Sequence, residues 1–209
     1  MSDKPEFTLR TATEDDVPGV ARVLSRAFFD DPLFVWLFPD PHTRMAKSAR
    51  WWAAQAGFSF IPAGSVTVAV SGDARPVVRG AAVWVPPGAS LPSGRGLLRT
   101  APHTLGLFPV SRLPELAAFM ADIQKAAPER PHWYLECLAV DPVTQGSGIG
   151  SALLRSGLVR ADIDRVPVYL ETTEPSNLIF YERFGFKGCG GVAEEGRPAF
   201  HGLIREPGD

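Results

Sequence analysis

Residues 133–150, WYLECLAVDPVTQGSGIG, decide the fold of this chain. The first eight of them, Trp133–Val140, are mostly apolar and predict a β-strand. Asp141-Pro142 then signals a turn. The glycine-rich segment Gln145-Gly146-Ser147-Gly148-Ile149-Gly150 follows and leads into a predicted helix. The apolar residues of that helix are Leu153, Leu154, Leu158 and Val159.

Upstream of this unit, strand and helix signals alternate. Phe7–Arg10 predicts a first strand. Thr13, followed directly by three acidic residues, predicts the start of an amphipathic helix. The proline-broken stretch 31–41 predicts a short helix, and residues 43–60 predict a second long one.

A hairpin and a poorly readable segment come next. Val66–Val70 and Val77–Val85 predict two antiparallel strands joined by the turn Ser71-Gly72-Asp73. Residues 88–130 carry few signals apart from a helix predicted over Leu113–Ala127.

Downstream, Val168–Leu170 predicts a strand and Asn177–Phe184 a short helix between Pro175 and Gly185. Two further strands are predicted around Phe186–Val192 and Ala199–Ile204. The fold class is therefore α/β (α+β), with antiparallel hairpins on either side of one β-loop-α-β unit. A length of 209 residues predicts a single domain, residues 1–209.

Composition narrows the possible functions. The formal net charge of −2 gives no electrostatic reason to expect nucleic acid or an anionic membrane as a partner. The polar start, MSDKPEFTLR, and the absence of a long apolar run predict a cytoplasmic protein without a signal peptide. The two cysteines, Cys137 and Cys189, are expected to be free thiols. The four histidines are too scattered in sequence to predict a metal site.

A strand, a glycine-rich loop and a helix start together form a candidate anion site, because the backbone N–H groups and the helix dipole both attract negative charge. A P-loop would need Lys after Gly150, where the chain has Ser151. A Rossmann fingerprint would need a third glycine at Ser151, although Glu171 lies where a ribose-binding acid belongs. The glycines could also form nothing more than a tight turn.

The segment also fits the pattern Q-x-x-G-x-G, from Gln145 to Gly150, and here it resembles the acetyl-CoA pyrophosphate loop of the GNAT superfamily of N-acetyltransferases. The resemblance continues in Asn177-Leu178-Ile179-Phe180-Tyr181-Glu182-Arg183-Phe184-Gly185-Phe186, an N-x-x-F-Y-x-x-x-G-F run. Within the superfamily, the chain is most similar to puromycin N-acetyltransferase-like members. The similarity is clear from Pro131 to Ile204 and looser over residues 8–40 and 77–87.

This resemblance implies a fold, a co-substrate and a reaction. The fold would be GNAT-like, a mixed and mostly antiparallel sheet whose central strands, Trp133–Val140 and Val168–Leu170, diverge to admit acetyl-CoA. A bound amine would attack the thioester directly, without a covalent enzyme intermediate and without a metal. The cofactor-binding residues would be Leu138, Ala139, Val140, Gln145, Gly146, Ser147, Gly148, Ile149, Gly150, Ser151 and Asn177.

Three residues are candidates for proton transfer. Tyr181 is the expected general acid, since a phenol with an ordinary pKa of about 10 is protonated at neutral pH; the alternative is core packing beside its aromatic neighbours. Glu136 and Glu171 are candidate bases or substrate ligands, or else solvated strand residues. Glu171 is preferred because its Leu-Glu-Thr context matches the puromycin-type enzymes, whereas the position of Glu136 is not acidic there.

The acceptor cannot be read from the sequence. A small-molecule amine, a class that includes antibiotic-like amines, is the first hypothesis; a peptide acceptor and a non-catalytic acyl-CoA sensor are the alternatives. Phe28, Trp36 and Trp84 could line the acceptor pocket or fill the core. Arg155 and Arg183 are interpreted as surface charge that could also meet the phosphates. The protein is expected to be a monomer or a homodimer.

Overall fold

The computed structural model describes residues 7–72, 76–89 and 94–208. The first six residues of the polar start and Asp73 of the predicted turn lie outside the described residues. Within them the chain forms seven strands and seven α-helices.

The strands are β1 (Thr8–Thr11), β2 (Val66–Ser71), β3 (Val77–Val85), β4 (Trp133–Val140), β5 (Val168–Thr172), β6 (Lys187–Val192) and β7 (Phe200–Arg205). The helices are α1 (Val17–Ala27), α2 (Pro32–Leu37), α3 (Pro41–Gln55), α4 (Gly94–Thr104), α5 (Leu113–Ala126), α6 (Ile149–Asp164) and α7 (Asn177–Glu182). Helix α3 continues as a π-helical turn, Ala56–Phe60.

Local sequence explains where the first helices begin. Thr13 and Asp16 form a capping box ahead of α1, and Asp16 also pairs with Arg10 at 2.6 Å. Helices α2 and α3 both start at an Asp-Pro pair. The Asp31 carboxylate accepts from Leu33 N–H, and the Asp40 carboxylate accepts from His42 N–H.

All seven strands belong to one sheet in the order β1-β2-β3-β4-β5-β7-β6. Every neighbouring pair is antiparallel except β4 and β5, which run parallel. The predicted mixed, mostly antiparallel sheet is therefore confirmed, as is the hairpin of β2 and β3.

The central strands β4 and β5 part soon after they meet. They are in register only at Trp133 with Val168 and at Tyr134 with Tyr169. The predicted divergence is confirmed, and the rest of β4 has no strand partner on that side.

A bulge interrupts β4 at its only acidic residue. Val83 of β3 faces Cys137 and the next residue, Trp84, faces Leu135, so Glu136 is the extra residue without a register partner. A bulge bends its strand and re-aims the side chains around it. Glu136 is thereby removed from the regular alternation of β4.

Two apolar cores cover the two faces of the sheet. One lies under α1 and α3 and includes Val83 and Cys137, and the other lies under α6 and α7 and includes Trp84 and Leu135. Trp84, a possible pocket residue by sequence, is only 1% exposed and belongs to the second core. Among the described residues, no helix is both long and apolar enough to cross a membrane.

Close contact between Trp84 and Gly157 fixes the distance of α6 from the sheet. A Cβ added at Gly157 would lie 2.0 Å from Trp84 Cε2, which is far inside van der Waals contact. We therefore expect Gly157→Ala to lower the free energy of unfolding by about 1–3 kcal/mol, even though alanine is the better helix former. Urea denaturation measures the change.

The matched control is Gly106→Ala, because no atom lies within 4 Å of the Cβ that it would add. It should change the free energy of unfolding by less than about 0.5 kcal/mol. Equal effects of the two substitutions would contradict the packing constraint at Gly157.

Candidate active site

The loop between β4 and α6 is a preformed turn. Gly146 and Gly148 adopt left-handed backbone angles, with φ of 81° and 90°, which other residues rarely do. The Ser147 hydroxyl donates to the Thr144 carbonyl at 2.6 Å, and the Asp141 carboxylate accepts from Val143 N–H. The glycines found by sequence are therefore required by the turn itself.

The loop ends at the N-terminus of α6, where Gly148 is the N-cap. The first helical N–H groups, from Ile149 to Ser151, have no intrahelical acceptor and carry the positive end of the helix dipole. Gly80 of β3 lets this end approach the sheet, since a Cβ there would lie 2.7 Å from Ile149 Cγ2. The result is a fixed cluster of donors suited to an anion.

A cavity of about 420 Å³ opens beside this helix end. Its walls come from β4, the loop, the start of α6, and α7. The lining residues are Leu138, Val140, Thr144, Gln145, Gly146, Gly148, Ile149, Gly150, Ser151, Asn177, Phe180, Tyr181 and Arg183.

The structure thus brings most of the predicted cofactor-binding residues together. Ala139 and Ser147 are not part of the lining: Ala139 faces the core under α1 and α3. Sequence reasoning did not assign Thr144 or Phe180 to the site, and it interpreted Arg183 as surface charge that could also meet the phosphates. The available signal was the helical spacing of three residues from Asn177 to Phe180 and from Phe180 to Arg183.

Tyr181 lies in the wall of the same cavity, 8% exposed, between Phe180 and Phe186. Burial raises its pKa, and the nearby Cys137 raises it further. The phenol is therefore protonated throughout the neutral range and remains a proton donor.

Glu136 and Glu171 occupy matching positions on the two strands that part. Each lies two residues beyond the last registered pair, Tyr134 with Tyr169, and the two are close enough for their charges to interact. Burial raises the pKa of Glu136 to about 7, and the charge of Glu171 adds to the effect. Burial also raises the pKa of Glu171 to about 7, against the opposing influence of the Tyr134 and Tyr169 hydroxyls. The pair therefore titrates near neutrality.

Glu171 faces the side of the sheet opposite the cavity. Val168 and Leu170 of β5 belong to the core under α6, so Tyr169 and Glu171 point the other way. Tyr169 stacks near Tyr134, with ring centroids 6.1 Å apart, and its buried hydroxyl lies beside Glu171. We name Tyr134, Tyr169 and Glu171 together the acceptor-side chamber.

Helices α2 and α5 cover the sheet on this face. Phe119 of α5 contacts both Trp36 of α2, at 5.1 Å between centroids, and Phe200 of β7, at 6.0 Å. Thr173 donates to the Asp31 carboxylate at 2.9 Å and ties the start of α2 to the end of β5. Trp36 is therefore part of this cover, whereas Phe28 stacks on Phe34 and Trp52 in the core.

The two cysteines are free, Cys137 buried and Cys189 exposed. Burial raises the pKa of the Cys137 thiol well above its usual value, and Glu136 raises it further. Cys137 is thus a poor nucleophile. In the part of the chain that the structure describes, no three His, Cys, Asp or Glu side chains form a metal-binding group.

Comparison with known proteins assigns the class. Residues 115–188 match the acetyltransferase (GNAT) domain. The chain is 28% identical over 183 residues to an uncharacterized N-acetyltransferase of Schizosaccharomyces pombe (strain 972 / ATCC 24843). The aligned region covers 82% of this chain and 70% of the relative.

Solved structures extend the likeness over nearly the whole chain. A histone acetyltransferase HPA2 and related acetyltransferase from Corynebacterium glutamicum is 26% identical, with a TM-score of 0.67 and 97% of both chains covered. Arylalkylamine N-acetyltransferase 2 from Aedes aegypti shares the fold at 11% identity, with a TM-score of 0.63, 97% of this chain and 100% of that one.

The chain therefore has a GNAT fold, and its residues 115–188 match a GNAT acetyltransferase domain. With the N-acetyltransferase relative, this makes the protein an acetyltransferase. Acetyl-CoA is the donor that the family uses.

The coupling of the two carboxyl groups can be measured directly. Because the charge of Glu171 contributes to the raised pKa of Glu136, Glu171→Gln should lower the pKa of Glu136 below about 7. The pKa should stay above that of an exposed glutamate, since burial is the larger cause. Carboxyl carbon-13 NMR titration measures it.

Glu182→Gln, an exposed substitution on α7, is the control and should leave the titration of Glu136 unchanged. A Glu136 titration that is the same in Glu171→Gln and wild type would show that the two groups are not coupled.

Proposed function

We propose that this protein, as one domain over residues 1–209, transfers an acetyl group from acetyl-CoA to a primary amine of a small molecule in the cytoplasm. One observation carries the proposal: an anion-binding loop and a protonated phenol line the cavity on one face of the sheet, and a pair of carboxyl groups lies at the gap where β4 and β5 part. Acetyl transfer requires that the cofactor is held, that a base accepts a proton from the amine and that an acid protonates the leaving thiolate. The loop, the carboxyl groups and the phenol are in the right chemical form for these three tasks.

The residues of the cavity fit the donor. When bound, acetyl-CoA supplies an acetyl thioester at the end of a long arm that carries a pyrophosphate. The loop N–H groups from Gly146 to Ser151 would hold the pyrophosphate. The free edge of β4 at Leu138–Val140 offers backbone groups to the amides of the arm. Asn177 lines the same cavity, with its amide nitrogen donating to Thr172 Oγ1 at 3.3 Å.

Tyr181 would act as the general acid. It lies in the cavity wall beside Leu138, and burial keeps it protonated. Donation from its hydroxyl to the leaving sulfur would neutralise the thiolate as it forms. Direct attack by the amine needs no enzyme nucleophile, which agrees with the raised pKa of Cys137.

Glu136 and Glu171 would divide the work on the amine side. Glu136 directly precedes Cys137 on β4, and Cys137 is close enough to Tyr181 to raise its pKa, so we place Glu136 on the side of the acid. We assign it the role of base. Glu171, with the Tyr134 and Tyr169 hydroxyls beside it, would bind the amine as an ammonium ion, whose charge favours ionised carboxylates.

The cover over the acceptor-side chamber favours a small acceptor. Phe119 packs against Trp36 and Phe200 and covers the sheet near Glu171. This cover leaves less room for an extended peptide. An amine related to the acceptors of puromycin N-acetyltransferase-like enzymes agrees with the similarity over residues 131–204. The arylalkylamine enzyme is a small-amine relative by its name, whereas the bacterial relative is named for histones.

The test of function is release of free CoA thiol from acetyl-CoA with a panel of small amines and peptides. Turnover with small amines that exceeds turnover with peptides supports the proposal. Tight acetyl-CoA binding without turnover on any amine would instead favour a non-catalytic sensor.

Removing the Tyr181 hydroxyl should separate chemistry from binding. Because the phenol donates a proton only as the thiolate leaves, Tyr181→Phe should reduce kcat by about 10²–10⁴-fold. The Kd of acetyl-CoA, measured by calorimetry, should be nearly unchanged. A large loss of affinity with little change in kcat would assign Tyr181 to binding.

The two carboxyl groups should give different pH profiles. In wild type, kcat/KM should rise as the pH passes through about 7, because the base works in its ionised form. Glu136→Gln should lose this rise together with about 10²–10⁴-fold of kcat. Glu171→Gln should raise the acceptor KM and keep the rise at a lower pH. The reverse pattern would exchange the two roles.

A further inference from the structure

Arg183 stands out in the cavity because it carries a charge. Of the described residues that line the cavity, it is the only one with a formal charge. No ion pair to Arg183 occurs within the described part of the chain. Its guanidinium lies over the ring of Phe180, 5.4 Å from the centroid. A guanidinium held over a ring keeps its N–H groups available for an anion.

The position of Arg183 along α7 indicates which anion it meets. Asn177, at the first turn, is bonded to Thr172 at the end of β5, close to where the strands part. Arg183 caps the other end of the helix, about 9 Å further along at 1.5 Å per residue. Asn177 and Arg183 therefore lie at opposite ends of the wall that α7 contributes to the cavity.

CoA carries one phosphate group besides the pyrophosphate, and this group needs a binding partner of its own. The loop and the α6 dipole form a cluster of backbone donors suited to the pyrophosphate. The remaining phosphate is the monoester at the ribose 3′ position, with a charge near −2, beyond the pyrophosphate on the side away from the thioester. A side-chain cation at the outer end of the cavity is the complementary group.

We propose that Arg183, supported by Phe180, binds the 3′-phosphate of CoA and makes the protein prefer CoA over 3′-dephospho-CoA. This inference rests on the proposed use of acetyl-CoA and adds a selectivity that the loop alone does not provide. The loop would bind the pyrophosphate of either compound equally.

The experiment is calorimetric titration of CoA and 3′-dephospho-CoA into wild type and Arg183→Gln. Wild type should bind CoA about three- to fivefold more tightly, as expected for a partly exposed charge pair. Arg183→Gln should lose this preference by weakening CoA alone. The preference of wild type should also shrink at high salt.

Arg155→Gln is the matched control. Arg155 is also exposed and lies over an aromatic ring, that of Phe184 at 5.1 Å, but it does not line the cavity. It should keep the wild-type preference. Circular dichroism of both variants checks their folding.

The failures are distinguishable. If wild type binds neither compound, the proposed use of acetyl-CoA is wrong. If wild type binds both and Arg183→Gln weakens both equally or neither, only the assignment of the 3′-phosphate is wrong.

Discussion

The parting of β4 and β5 is the constraint on which the rest of the structure depends. Parallel strands normally pair along their length, yet these two are in register at only two positions. The gap frees one edge of β4 for a ligand and connects the two faces of the sheet. The cavity beside α6 lies on one face and Glu171 on the other, so a thioester and an amine could approach each other only through this gap.

Burying two carboxyl groups beside the gap is costly, because no cationic side chain among the described residues forms an ion pair with them. The cost of burial is lower because the pKa of each group is raised to about 7, so that both carboxyl groups can stay protonated and uncharged below that pH. Their raised pKa values mean that the folded protein binds protons more tightly than the unfolded chain. Their contribution to stability is therefore greatest below the ordinary glutamate range and is lost as the pH rises through about 7. A bound ammonium ion would offset this loss.

Sequence predicted the elements well and the bulge not at all. Strands, helices and the glycine loop follow from local periodicity, caps and turn residues, and their predicted order is confirmed except for α4, which was not predicted. Glu136 looks like one position in a regular strand, and its displacement is defined only by the register of Val83 and Trp84 on the neighbouring strand. The contact between Trp36 and Phe119 could not be predicted either, because the two residues lie 83 positions apart in the sequence.

The features that sequence predicted belong to the donor side of the site, and those that it did not predict belong to the acceptor side. The donor side consists of consecutive residues, because backbone donors at a helix end must come from one short segment. The acceptor side is assembled from α2, α5, β5 and β7, through contacts such as Thr173 with Asp31 and Phe119 with Phe200. Substitutions in α2 or α5 could therefore reshape the acceptor-side chamber without moving Gly146 or Gly148. In such a fold the donor site is formed by one short segment of sequence. The acceptor site depends on how helices distant in sequence pack on the opposite face of the sheet.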